Sequence, residues 1–149
     1  MEFLEAFSWM NIKFLLEGLL VTVQVAALTI IFSIILGIIL GVIRYFDIPG
    51  VSKILGLIID TIRNLPLLLI IFFSYFALPE LGISLNPFWS TIVAMTIFES
   101  AMISEIIRGG LKALPRGQAE AGLASGLTRN DVMRSILLPQ VIRYTLPSV

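Results

Sequence analysis

Two glutamates, Glu99 and Glu105, interrupt the apolar run from Phe88 to Ile107 in this 149-residue chain. A charged side chain at the centre of a bilayer costs at least ~2.5–3.5 kcal/mol on insertion scales, so Glu99 is expected to face a cavity or a partner. On a helix, Met95, Glu99, Met102 and Ile106 share one face. Two roles fit Glu99: a carboxylate that meets a cationic group, or a protonated or hydrogen-bonded structural group. Glu105 and Arg108 are three residues apart, as are Asp60 and Arg63. That spacing makes ion pairs on one helix face, the simpler reading beside a role in gating. Arg108 also suits snorkelling to lipid headgroups. The chain has neither histidine nor cysteine. Disulfides, thiolate or imidazole metal sites and Ser-His-Asp chemistry are therefore excluded. No G-x-x-x-x-G-K-S/T or G-x-G-x-x-G occurs. The expectation is a chain that is no enzyme, carries no cofactor and takes any nucleotide energy from elsewhere.

The elements that must hold these residues lie in lipid. Hydrophobic residues make up 58% and charged residues 13%, and the mean hydropathy is +1.01; soluble chains carry roughly 25% charged residues. A 150-residue domain leaves roughly 30% of its unfolded-chain surface exposed, so one core cannot hide this much apolar area. Gly18 to Ile43 is uncharged over 26 residues and reads as a tilted membrane helix. A signal peptide fits it poorly, because Glu2 and Glu5 precede it and no A-x-A site follows. Gly37 and Gly41 form a G-x-x-x-G, which suits close helix packing and also arises by chance. Val51 to Arg63 mixes Ile54, Leu55, Ile58, Ile59 and Ile62 with Lys53, Asp60 and Arg63, as an interfacial segment would. Pro66 is tolerable near the start of the span that follows. The expected spans are about 18–44, 64–79 and 88–108, within a membrane region 18–110, with Trp89 as an interface anchor.

The loop charges give an orientation. Residues 1–100 hold four basic and seven acidic groups, and residues 101–149 hold six basic and three acidic. The positive-inside rule then places the arm 1–17 outside, the first loop inside, the second outside and the tail 111–149 in the cytoplasm.

That tail is punctuated by Pro115, Gly117, Gly122, Gly126, Pro139 and Pro147. Arg116 to Leu127 reads as a short helix ended by Gly126. Thr128 is its successor's N-cap, with Asp131 three residues on. Val132, Met133, Ile136 and Leu137 line one side of that second helix, which is expected to stop at Pro139 and send the chain back to the bilayer. Alone, this helix pair is similar to a DNA-binding helix-turn-helix, which gives the alternative of a small membrane-anchored regulator.

A longer pattern points elsewhere. Glu120-Ala121, Gly126, Ile136 and Leu138-Pro139 resemble the "EAA" loop of ABC importer permeases. Glu105 to Leu111, Leu114-Pro115-Arg116-Gly117-Gln118, Pro139-Gln140 with Arg143 and Leu146-Pro147, and Arg63-Asn64-Leu65-Pro66-Leu67-Leu68 resemble signatures of the polar-amino-acid branch. Gly122 departs from the usual second Ala, Asn64 and Leu65 from Gly and Thr, and Met102 from Tyr. Gly122 is expected to loosen its helix, since Gly costs roughly 0.8–1.0 kcal/mol relative to Ala. The resemblance implies an all-α membrane protein, a multi-span bundle of the type I ABC importer permease kind, in the cell membrane, and reading as cut short after three of about five spans. It implies a permease dimer, homo- or heterodimeric, that carries amino acids by alternating access. Its partners would be an ATPase subunit and an extracytoplasmic substrate-binding protein, with no nucleic acid. Glu120, Ala121 and Gly126 would couple to the ATPase, Glu120 having a surface charge or helix cap as its plainer reading. Glu99 and Met102 would line the substrate path. Arg63, Pro66, Glu105, Arg108 and Pro139 would be structural.

Overall fold

The computed structural model describes residues 9–145. It is 86% helical, with no strand among the described residues. Helix α1 (Trp9–Tyr45) is followed by α2 (Val51–Asn64), α3 (Leu67–Phe72) and α4 (Pro87–Ala113). Then come α5 (Arg116–Ala124), α6 (Arg129–Val132) and α7 (Leu138–Thr145). At ~1.5 Å per residue, the 37 residues of α1 extend about 55 Å and the 27 of α4 about 40 Å. Both are long and apolar enough to cross a membrane. The part of the arm that is described, from Trp9 on, is already helical, and Glu2 and Glu5 lie outside the described residues.

α1 and α4 form the principal helix pair. A methyl group added at Gly37 would lie 2.6 Å from Ile103 Cγ2, and one at Gly41 2.8 Å from the Ser104 carbonyl oxygen. The G-x-x-x-G is thus a true point of backbone contact, made possible by missing side chains. Thr29 and Ser33 continue the same small-residue stripe one turn apart, and both are buried. Positions 37 and 41 meet positions of increasing number on α4, so the two helices run in the same direction. The chain between them must therefore return across the fold.

That return is bent. α2 buries Ser52, Gly56 and Ile59 on one face and exposes Lys53, Asp60 and Arg63. It meets the next helical segment, Leu67–Ala77, at 105°. The bend sits at Leu65-Pro66, where Leu65 is extended (ψ 145°) and Pro66 is the N-cap. Leu67–Ala77 spans only about 16 Å at helical rise, against ~30 Å of hydrocarbon, so the stretch 64–79 has span length only together with α2.

Two prolines are handled alike. A π turn over Phe73–Ala77 precedes Leu78-Pro79, and another over Met133–Leu137 precedes Leu138-Pro139. A proline ring clashes with the carbonyl four residues back, and the wider turn re-spaces that carbonyl. At Pro79 the helix ends, with Gly82 at φ 85°. At Pro139 it does not. The expected stop is corrected here: the π turn absorbs the proline and α7 continues to Thr145.

The tail is no separate layer. Ile103, Ile107 and Leu111 of α4 form one buried cluster with Val132, Met133, Leu137 and Val141. Gly110 admits α7 against α4: a methyl there would lie 2.8 Å from Val141 Cγ1. Each fully buried Val or Leu contributes ~1.5–3 kcal/mol, so the tail helices are welded to the membrane helix above them. Leu111, the first residue of the expected tail, is itself part of this cluster.

Candidate functional site

α5 is the element the sequence singles out. Pro115 starts it, and the Leu127 N–H donates to the Gly122 carbonyl while Gly126 N–H donates to Leu123. Gly126 has φ +86°, the left-handed conformation that closes a helix C-terminus cheaply for glycine. Thr128 and Asp131 form a capping box that starts α6. The Thr128 hydroxyl lies 2.5 Å from the Asp131 carboxylate. That hydrogen bond, with the Thr128 backbone N–H and Arg134 nearby, holds the carboxyl below the ordinary carboxylate range.

Glu120 and Ala121 are exposed on α5. Gly122 is buried, and a methyl there would lie 2.8 Å from both Ile136 Cδ1 and Val132 Cγ2. The departure from Ala at 122 therefore brings α5 close to the next helix instead of loosening it. An open hollow of about 770 Å³ lies beside α5, with Lys112, Arg116, Glu120, Arg129, Tyr45 and Leu137 among its lining residues. The exposed end thus combines a carboxylate, three cations and small residues.

Above it, at the end of α1, sits an ion cluster the sequence showed only in part. Glu105 Oε2 accepts from Arg108 at 2.6 Å, the expected i, i+3 pair. Glu105 Oε1 also accepts from Arg44, 61 residues away. The Arg44 and Glu105 side chains are 12% and 16% exposed, so this is a largely desolvated contact. Gly56 of α2 makes room for it: a methyl there would lie 3.1 Å from an Arg44 guanidinium nitrogen. One carboxylate therefore joins α1 and α4 beneath a glycine of α2. Arg63 and Asp60 approach to 3.6 Å on the exposed side of α2; neither bonds to Glu105, but both charges are near enough to act on Arg44. Arg44 and Gly56 left no local signal, because neither is near Glu105 in sequence.

Glu99 lies near the middle of α4, half-buried, and Met95, Met102 and Ile106 are half-buried too. Glu99 makes no hydrogen bond or ion pair with another described residue. The structure does not bring Glu99 and the α5 residues together: they occupy the middle of a membrane-length helix and its far end.

The described residues thus form a helical membrane protein with a small-residue helix pair, a carboxylate in mid-helix and a polar helix pair at one end. Residues 33–149 match the family described as the binding-protein-dependent transport system inner membrane component, and the chain belongs to that family. It is 48% identical over 149 residues to the probable glutamine ABC transporter permease protein GlnP of Bacillus subtilis (strain 168), covering 100% of this chain and 68% of that one. It is 46% identical over 89 residues to the probable glutamine permease GlnM of the same organism, covering 60% of this chain and 41% of that one. Among solved structures it is similar to an inward-facing MetNI methionine ABC transporter, with a TM-score of 0.79 and 23% identity. That match covers 91% of this chain and 66% of the other, so the chain spans about two thirds of that length. The fold is accordingly the all-α, multi-span permease fold of type I ABC importers, and the chain is a transport subunit and not an enzyme. The family match runs through the tail to residue 149, which accounts for the helix-turn-helix likeness.

Proposed function

We propose that this chain is the permease subunit of an ABC importer that carries polar amino acids, with ATP hydrolysis on a separate chain docked at α5. The observation that carries the reading is α5 itself. It exposes Glu120 and Ala121 and is fixed by Gly126 and the Thr128–Asp131 box on one side and by Gly122 on the other. The names of the two glutamine permeases support the substrate class, and their being two distinct proteins of one organism suits a paired permease. A substrate-binding protein on the outer side completes the set, as the family description implies. The orientation has the N-terminus outside, so that α5 faces the ATPase in the cytoplasm.

Glu99 is the carboxylate on the path, with Met102 beside it. It is half-buried and unpaired within the described residues, and such a group needs a partner from outside the segment. The ammonium group of an amino acid is such a partner. Expressed with its ATPase, the wild-type chain retains that subunit through purification, and Glu120→Arg loses it. Retention unchanged in Glu120→Arg sinks the docking assignment. For the path, Glu99→Gln in a full-length homologue lowers amino-acid uptake, and unchanged affinity and rate there reject that role.

A further inference from the structure

α5 meets the α6–α7 rod along an antiparallel seam of two steps. At one, Gly122 sits on Val132 and Ile136. At the other, one turn away on each helix, the Gln140 side-chain amide donates to Gln118 Oε1 at 2.5 Å and to the Ile136 carbonyl at 2.8 Å. Both N–H groups of Gln140 are thereby used, which fixes the amide's orientation as well as its place. The Ile136 carbonyl belongs to the π turn that accommodates Pro139. The two steps differ in kind. The glycine step is apolar and non-directional, so α5 can roll on it. The amide step is directional and sets the rotation of α5 about its own axis. Gln118 and Glu120 are two residues apart on α5, so that rotation decides where Glu120 points. Gln140, in turn, is carried by α7, which packs on α4 through Gly110 and Val141.

We propose that the Gln118–Gln140 pair is a positioning device that locks the rotation of the coupling helix to the α4–α7 body. Movement of either is passed to the other with Glu120 held in register. The proposal rests on the docking role given to α5 above. Its first readout, however, needs no partner.

The test is hydrogen exchange of the α5 amides in the full chain in lipid nanodiscs. Gln140→Leu keeps the bulk but removes the donor. A neutral hydrogen bond is worth ~0.5–1.5 kcal/mol net, so exchange in α5 rises about two- to tenfold while α1 and α4 are unchanged. The pair Gln118→Glu with Gln140→Lys restores an acceptor facing a donor and returns exchange to the wild-type rate. In the same preparations, retention of the ATPase subunit falls in Gln140→Leu and recovers in the double variant. Unchanged α5 exchange in Gln140→Leu overturns the proposal, as does a loss of retention that the double variant fails to recover. A wild-type chain that retains no ATPase refutes the docking role instead, and the exchange comparison still decides the lock.

Discussion

Neutralising Glu105 should cost far more than neutralising Arg44, although the two are partners. Glu105 is shared by two guanidiniums, Arg44 and Arg108, with side-chain exposures of 12% and 26% beside its own 16%. At ~4 Å and an effective dielectric near 20, each charge contact is worth about 4 kcal/mol before desolvation. Glu105→Gln removes both attractions and leaves two partly desolvated arginines repelling each other. Arg44→Gln removes one attraction together with that repulsion, and leaves the Glu105–Arg108 pair intact. Breaking a buried pair so that charge is left over costs ~3–5 kcal/mol, which we expect for Glu105→Gln. We expect about 1.5 kcal/mol for Arg44→Gln, the low end of the net worth of one hydrogen bond to a charged group. The assay is denaturant unfolding of the purified chain in mixed micelles, followed by circular dichroism. Equal losses for the two variants, or a loss below about 1 kcal/mol for Glu105→Gln, would refute the shared-carboxylate argument.

Three further outcomes follow from the geometry. Gly41→Leu drives a side chain into the Ser104 carbonyl and Ile107, and should destabilise the α1–α4 pair by at least ~1–3 kcal/mol in the same unfolding assay. Gly122→Ala gains ~0.8–1.0 kcal/mol of helix propensity but meets stiff Val132, so overpacking of ~1–3 kcal/mol should leave it less stable by about 1 kcal/mol. A more stable Gly122→Ala would show that α5 yields at this contact. Because the Asp131 carboxyl is held below its ordinary range, its support for the start of α6 is fully present above that range. It is lost as pH falls through the lowered value. Protection of the α6 amides, corrected for the intrinsic pH dependence of exchange, should therefore stay flat down to about pH 4 and fall below it in wild type, while Thr128→Ala lowers the opening free energy by a cap's worth, ~1 kcal/mol, at neutral pH.

The legible parts of this molecule are local in sequence. Thr128 and Asp131 announced their capping box, Gly126 its turn, and Gly37 and Gly41 their helix contact, because each signal lies within one or two turns. Asn86 and Pro87, the N-cap and first residue of α4, could have been read the same way. What was hidden is what the fold brings together. Arg44 reads as a loop charge until α4 places Glu105 beside it. Gly122 reads as a weak helix residue until Val132 and Ile136 are set against it. Pro139 reads as a stop because a proline's usual effect is local, and the π turn that absorbs it is paid for by the buried cluster on α4.

The proposed transport role depends on α5 being the surface where the ATPase docks. The chain has no cysteine, so one introduced thiol reports one position without background. With the ATPase subunit co-expressed and a short thiol-to-amine crosslinker added to membranes, Ala121→Cys should give a chain–ATPase adduct. Ile54→Cys, 63% exposed on α2, should give none. An adduct at 54 with none at 121 would contradict docking at α5.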